Sequence, residues 1–349
     1  MKKVLTGMSG GVDSSVTAFL LMQAGCEVAG VNLIMHRNRA EGACGSPAEV
    51  EVARKVAEDL NIKFYALDFQ KEFSENVIKN FIETYESGAT PNPCVVCNRY
   101  VKFGALIKKA EEMGYDGIAT GHYARIEQLN GRYLLKTGVD RSKDQSYVLY
   151  CLTQEQLSKT LFPLGEYKKT DVREIAEKNG FINAHKHDSQ DICFIPDGDY
   201  ASYIERETGK TFPNGDFVTL DGKVLGTHKG IIRYTVGQRR GLGLALPASM
   251  YVYEKDIEKN RVILTYEDKL FSNELTAKNV NFIPVDKLSS PMKVKVRVRY
   301  KQPEQEAIIE QLDNDRVHVE FLKAQRAIAK GQSAVFYDGE YVVGGGVIE

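Results

Sequence analysis

Ser9-Gly10-Gly11-Val12-Asp13-Ser14-Ser15 decides how the first part of the chain is read. Before it, Lys3-Val4-Leu5-Thr6-Gly7-Met8 has the make-up of a short buried strand. After it, Val16, Phe19, Leu20 and Ala24 recur at helical spacing, and Gly25 supplies a C-terminal stop. A strand, a Gly-Gly turn with flanking hydroxyls and a helix N-terminus together make an anion site. The glycines let backbone approach the ligand, and the unpaired N–H groups of the first helical turn point at it. The stretch has no Lys where G-x-x-x-x-G-K-[ST] needs one, and no G-x-G-x-x-G. An N-capped Ser/Gly/Asp turn without a ligand has the same composition; the strand and helix flanks favour the anion reading.

The 349 residues are enough for two or three domains, and 43% hydrophobic with 27% charged residues is an ordinary globular balance. No apolar run approaches the roughly 20 residues that span a bilayer. The N-terminus enters the first strand at once, which leaves no room for a signal peptide, so a cytoplasmic protein without a membrane partner is expected. A net charge of −1 carries no global nucleic-acid signature, and any RNA contact must be local. The six cysteines, Cys26, Cys44, Cys94, Cys97, Cys151 and Cys193, are irregularly spaced, which favours catalytic, metal-binding or buried thiols over a disulfide framework.

Residues 1 to about 200 alternate strand and helix, the pattern of a doubly wound α/β parallel sheet. Strands are expected at Glu27 to Met35, Ile62 to Leu67 and Gly117 to Thr120. Helices are expected over 46–60, 70–87 and 99–113, the first opened by Ser46-Pro47. Ligand sites of such sheets lie at the strand C-termini where strand order reverses, so Ser9 to Ser15 and Thr120-Gly121-His122-Tyr123 should meet. Residues 205–275 are rich in Gly turns between short strand-like runs. Residues 276–349 are nearly all alternating strand pattern, the signature of a small β-barrel.

Pro91-Asn92-Pro93-Cys94-Val95-Val96-Cys97-Asn98 places Cys97 just ahead of the expected 99–113 helix, a position that lowers a thiol pKa. A lone C-x-x-C could be a redox pair, half a metal site or a coincidence. His185-Lys186-His187-Asp188-Ser189-Gln190-Asp191-Ile192-Cys193-Phe194 surrounds a second cysteine with cations and polar groups. Cys26 and Cys151 lie in apolar surroundings and read as core; Cys44, in a Gly-rich loop, stays open. The six histidines show no zinc spacing.

S-G-G-x-D-S resembles the PP-loop of the ATP pyrophosphatases. Further blocks follow in order: Thr90-Pro91-Asn92-Pro93, Cys97-Asn98, Val101-Lys102-Phe103, Ala119 to Arg125, Lys143-Asp144-Gln145-Ser146-Tyr147, Phe162-Pro163-Leu164-Gly165, Asp188-Ser189-Gln190, Ile192-Cys193-Phe194-Ile195, Tyr234-Thr235-Val236-Gly237-Gln238-Arg239, Gly241-Leu242-Gly243, and Gln332 with Phe336-Tyr337-Asp338-Gly339. Together they resemble the tRNA-specific 2-thiouridylases (MnmA/TrmU family), from the first strand to near the C-terminus. The resemblance implies a PP-loop catalytic domain over 1–204, a β-rich central tRNA-contacting domain over 205–275 and a C-terminal β-barrel over 276–349. It implies that ATP adenylates the C2 oxygen of a wobble uridine, and that sulfur then displaces AMP to leave 2-thiouridine.

By match, Gly7, Met8, Ser9, Gly10, Gly11, Val12, Asp13 and Ser14 bind the ATP phosphates, with Asp13 assisting Mg²⁺, and Leu33 and Gly121 line the adenosine site. Cys193 matches the persulfide-bearing cysteine and Cys97 its partner. Asn92, Pro93 and Cys94 match contacts to the target base. His122, Lys143, Asp144, Gln145, Arg299, Tyr300 and Gln332 match tRNA contacts. Many members carry Asp where this chain has Cys94, and the substitution opens a second route. In it a 4Fe-4S cluster on Cys94, Cys97 and Cys193 would hold sulfide on its open iron. The sulfur donor is accordingly a persulfide relay protein or inorganic sulfide. Lys293, Lys295, Arg297, Arg299 and Lys301 alternate with Val294, Val296, Val298 and Tyr300. In a strand this would set five cations on one face roughly 6.6–6.8 Å apart, suited to RNA phosphates or to a solvated edge. Arg239-Arg240 is a second phosphate candidate. Two other readings stay open: another PP-loop adenylating ligase for a small molecule, and a non-catalytic ATP-dependent tRNA-binding protein.

Overall fold

The computed structural model describes residues 1–36, 46–186 and 192–349. Cys44 and the His187 to Asp191 part of the Cys193 stretch lie outside the described residues. The N-terminal strands are β1 (Lys3–Gly7), β2 (Glu27–Ile34), β3 (Lys63–Asp68), β4 (Gly117–Ala119), β5 (Ala124–Leu129), β6 (Arg132–Thr137) and β7 (Thr160–Leu161). Five of them form a parallel sheet in the order β3-β2-β1-β4-β7, so strand order reverses between β1 and β4. Val4, Leu5, Val31 and Ile118 are fully buried in it, as the near-continuous apolar strands require when helices cover both faces. The turns after β1 and β4 open at this reversal, where the expected site lies.

The helices follow their caps. Val12–Gln23 ends at Ala24, with Gly25 in the left-handed region. Pro47–Asp59 starts at Ser46, whose Oγ accepts the Glu49 N–H. One helix runs over 70–86 with a π-turn at Ser74–Ile78. Another runs over 93–112 through a π-stretch at Asn98–Ala105. That last helix was expected to begin at 99; it begins at Pro93, because Asn92 caps it through the Val95 N–H and Pro93 takes the first helical position.

The central unit has a helix, Tyr200–Thr208, and strands β8 (Gly215–Thr219), β9 (Val224–His228), β10 (Tyr251–Asp256) and β11 (Arg261–Thr265), paired β10-β11-β8-β9. The C-terminal strands are β12 (Phe271–Phe282), β13 (Met292–Arg297), β14 (Gln305–Gln311), β15 (Val317–Arg326), β16 (Ser333–Asp338) and β17 (Tyr341–Ile348). They pair as β12-β15-β14-β13-β16-β17, and β12 meets β17 to close the barrel. Val294, Val296, Ile309, Val319 and Phe336 fill its interior. The β5–β6 hairpin joins its wall through Lys136 and Tyr341.

The row of five cations is not realised. β13 ends at Arg297, so only Lys293 and Lys295 stand exposed on the strand. Arg297 turns inward, 3.3 Å from Asp144 and 2.8 Å from Glu304. Arg299 donates to the Ala327 carbonyl at 2.6 Å. Tyr300, expected in the core, is 40% exposed. Cys151 is core as expected, whereas Cys26 is half-buried.

Lys255 on β10 is a buried cation without a hydrogen-bond partner among the described residues. It lies between the central unit and the 70–86 helix, with its Nζ 5.9 Å from the Tyr85 ring centre. Tyr85 stacks on Tyr200 at 4.5 Å. Burial pushes the Lys255 pKa down to about 8. The unfolded chain therefore binds more protons than the folded one between pH about 8 and about 10.5, and stability rises with pH across that window. Lys255→Met is expected to abolish this rise and to add up to about 3 kcal/mol at pH 7, read by urea unfolding at pH 7 and pH 9.5.

Candidate active site

The loop after β1 is held open from below. Buried Asn32 donates to the Met8 carbonyl at 2.8 Å, and Met8 N–H donates to Val31 O at 2.7 Å. Gly10 has φ +82°, and a β-carbon there would stand 2.7 Å from the Glu49 carbonyl oxygen, so only glycine makes this turn. Gly11 caps the Val12–Gln23 helix with no side chain, which leaves the first-turn N–H groups facing outward. Ser14 Oγ donates to Gly11 O at 2.9 Å and accepts the Ser9 N–H at 3.2 Å. This cradle of backbone donors fits a polyphosphate.

Gly121, after β4, arrives where expected: a β-carbon on it would lie 3.0 Å from Asp13. Leu33 is half-buried near the C-terminal end of β2. Asp13 itself is held from two sides. Lys169 Nζ lies 2.7 and 2.8 Å from its two carboxylate oxygens, and Tyr123 Oη donates to one of them at 2.8 Å. Gln145 fixes Tyr123 by exchanging two hydrogen bonds with its backbone. Each Asp13 oxygen keeps a further lone pair beyond the Lys169 contact. Lys169 begins the helix Lys169–Lys178, preceded by Lys168. Two lysines at a helix N-terminus oppose the dipole, and that local conflict was the available signal for a buried anionic partner.

Asn183 and Lys186 were also missed in the reading of the sequence. Asn183 Nδ2 donates to Gly10 O at 3.0 Å and to Ser15 Oγ at 2.9 Å. Lys186 pairs with Glu49 and reaches Gly10 O at 3.4 Å. The chain leading toward Cys193 is thus moored to the phosphate loop.

The thiols are arranged differently from expectation. Cys94 occupies the first turn of the 93–112 helix and is exposed, while Cys97 lies one turn further in and is buried. The helix N-terminus therefore acts on Cys94, because Asn92 starts the helix before either thiol. Cys97 Sγ is 3.9 Å from Met35 Sδ, just beyond the C-terminal end of β2. Cys193 is half-buried against the same apolar cluster that contains Cys97, beside Phe194, whose ring meets Phe73 and Phe81 edge-on. Among the described residues no three His, Cys, Asp or Glu side chains are grouped to hold a metal ion. Cys94, Cys97 and Cys193 thus do not form a cluster cage in this arrangement, and no step through a cluster follows from it.

Several residues matched to RNA contacts work inside the protein. His122 is buried between Phe103 and Phe162, with Nδ1 2.7 Å from Thr120 Oγ1; burial, then Lys102, hold its pKa well below the usual histidine value. Asp144, also buried, accepts the Gly138 and Ser146 N–H groups and pairs with Arg297. Tyr300 Oη donates to the Asp144 carbonyl, and burial, then Asp144 and Cys94, push its pKa up. Gln332 donates to Thr90 O at 3.1 Å and Pro91 O at 2.9 Å. Lys143 is half-buried, and Arg239 and Arg240 are exposed.

Three family profiles cover nearly the whole chain. The tRNA methyl transferase HUP domain matches residues 2–197, the tRNA methyl transferase PRC-barrel domain 201–265 and the aminomethyltransferase beta-barrel domain 272–348. A tRNA-specific 2-thiouridylase MnmA of Clostridium acetobutylicum is 51% identical over 100% of this chain and 99% of its own length. One of Clostridioides difficile is 49% identical over 100% of this chain and 98% of its own. Among solved structures, a U34-tRNA thiolase NcsA from Methanococcus maripaludis with its [4Fe-4S] cluster aligns over 59% of this chain and 66% of that one, at 19% identity and a TM-score of 0.37. That likeness is too distant to bear on the chemistry. No helix among the described residues is long and apolar enough to cross a membrane.

The pairing at Asp13 predicts that Lys169→Met strips the loop of its nearest cation. ATP affinity is expected to fall at least about tenfold, about 1.4 kcal/mol, by equilibrium binding, with Lys169→Arg in between.

Proposed function

Because the chain belongs to the tRNA-specific 2-thiouridylase family, we propose that it adenylates the C2 oxygen of a wobble uridine in tRNA with ATP and replaces that oxygen with sulfur. One observation carries the reading. The phosphate loop follows β1 and Cys97 abuts the end of its sheet neighbour β2, so an adenylating site and a thiol share one carboxyl edge. Neither a small-molecule ligase nor an ATP-dependent binding protein would need a thiol there.

The uridine O2, carrying the electrons freed as N3 gives its proton to water, attacks the α-phosphorus, and pyrophosphate leaves. The loop N–H groups and Lys169 hold that leaving charge, and Mg²⁺ supplies further charge neutralisation when bound by Asp13. Cys193 takes a sulfur atom from a persulfide donor, which departs as a thiol. The terminal sulfur of the Cys193 persulfide forms the bond to C2, and the C2–O bond breaks with its electrons going to AMP. The Cys97 thiolate then attacks Cys193 sulfur, forming a Cys97–Cys193 disulfide and releasing the 2-thiouridine. A dithiol reductant returns both thiols. Cys94, which is exposed, is taken with Asn92 and Pro93 as the contact for the base, as the family match implies. The surface for tRNA is the barrel and central unit around Lys293, Lys295, Arg239 and Arg240, and the setting is the cytoplasm.

Cys193→Ala and Cys97→Ala are each expected to abolish 2-thiouridine, by mass spectrometry of nucleosides from treated tRNA, while tRNA-dependent pyrophosphate release persists. Anaerobically purified protein is expected to work with a persulfide donor and without stoichiometric iron. Iron at four per chain with turnover on free sulfide alone would move the reaction to a cluster. Tight ATP-dependent tRNA binding without pyrophosphate release would leave only a binding protein.

A further inference from the structure

The barrel turn Ala329 to Gln332 does a task that its matched role as an RNA contact does not describe. It docks on the segment that starts the cysteine-bearing helix. Thr90 N–H donates to Lys330 O at 2.8 Å. Gly331 has φ +87°, and a β-carbon on it would stand 2.8 Å from Thr90 O and 3.1 Å from Ala89 Cβ, so the two backbones touch. Gln332 then directs its amide nitrogen at two consecutive carbonyls, Thr90 and Pro91. An amide NH₂ has two hydrogens, and both are used here.

Gln332 is itself rigidly mounted. Its N–H donates to Ala329 O at 3.2 Å, and its carbonyl accepts the Ile348 N–H at 2.8 Å, within the last strand of the barrel. On the other side, Thr90 and Pro91 lead directly into Asn92, the cap of the 93–112 helix. Pro91 and Pro93 have no N–H, so this stretch has few ways to anchor itself. The cap hydrogen bond from Val95 to Asn92 is long, at 3.5 Å, and alone is a weak start for a helix. The Gln332 bonds instead fix the two residues that lead into the cap.

From this we infer that Gln332 is a positioning residue for the cysteine-bearing helix: its two amide bonds to the Thr90 and Pro91 carbonyls set where the helix begins, and hence where Cys97 sits beside the end of β2. The thiol's part in sulfur transfer rests on the reading in the preceding subsection; its placement does not. Through this contact the barrel acts as a strut as well as an RNA surface. Losing the two bonds frees the helix start to open locally while the rest of the fold stays closed.

The test compares Gln332→Ala, Gln332→Lys and wild type by iodoacetamide labelling of the full-length protein without tRNA, read by peptide mass spectrometry. Exposed Cys94 calibrates the reagent. Cys151 cannot serve as the control, because its Sγ lies 3.5 Å from Val95 O in the same helix start. Labelling repeated in low urea separates local from global opening, since only global opening exposes enough surface to speed up with urea. Gln332→Ala is expected to raise the Cys97 rate at least about tenfold, with no dependence on low urea. Gln332→Lys, which keeps donors at that reach, is expected to restore most of the protection. In turnover, Gln332→Ala should lower kcat several-fold with KM for tRNA within about twofold. An unchanged Cys97 rate, or a raised rate that climbs with low urea, overturns the inference, as does a raised KM for tRNA at unchanged kcat. Because labelling needs no substrate, it stands or falls separately from the thiolation reading, which the nucleoside assay tests.

Discussion

Two helices meet across the phosphate loop through one carboxylate. Asp13 in the first turn of Val12–Gln23 is gripped by Lys169 from Lys169–Lys178 and by Tyr123 from the turn after β4. The pair closes the site at the point where strand order reverses, and Val12, Val16, Val172 and Ala176 pack behind it. A carboxylate at a helix N-terminus is favoured by the dipole, and a lysine there is not. The two charges therefore gain from each other what Lys169 loses by its position. Under the proposed function the same charges are the ones a metal-bound triphosphate would meet.

The barrel is tied to the catalytic unit by a shared apolar cluster, in which Val335, Tyr337 and Val342 join Tyr147 and Tyr150, and by polar contacts that fix its position. Arg297 reaches Asp144, Tyr300 reaches the Asp144 carbonyl, and Gln332 reaches Thr90 and Pro91. Each ends on a stretch that feeds the site: the 138–146 loop that fixes Tyr123, or the start of the cysteine helix. Buried hydrogen-bonded charge pairs contribute little net stability but specify one geometry. That property suits contacts whose task is to place a thiol and a base relative to each other. Asp144, Tyr300 and Gln332, matched to RNA contacts, are taken up by this joint between barrel and catalytic unit.

Much of this was legible from residue order. The β-α alternation, the Gly-Gly loop, the Ser46 cap and the alternating strands of the barrel are local patterns, set by periods of two or 3.6 residues and by turn chemistry. The meeting of Ser9 to Ser15 with Gly121 also followed, since it depends only on parallel-sheet topology. The start of the cysteine helix was misread because Pro91 and Pro93 look like a break, although proline at a first helical position is favourable. The cation row failed for a different reason. Alternation states which residues share a face while a strand lasts, but not that β13 stops at Arg297 or that Asp144 and Glu304 wait there.

By itself, the sequence determined the kind of chemistry: backbone donors for a polyphosphate, thiols for sulfur, and a three-part order of sheet, Gly-rich unit and barrel. Those depend on neighbours along the chain. Tertiary structure alone decided which groups answer one another. Lys169 finds Asp13 at a separation of 156 residues, and Gln332 finds Pro91 at 241. It also decided that Cys94 faces solvent while Cys97, one helical turn on, lies against Met35. Such pairings arise because burial strips water from a charge or a carbonyl and leaves it to find a partner wherever the fold brings one.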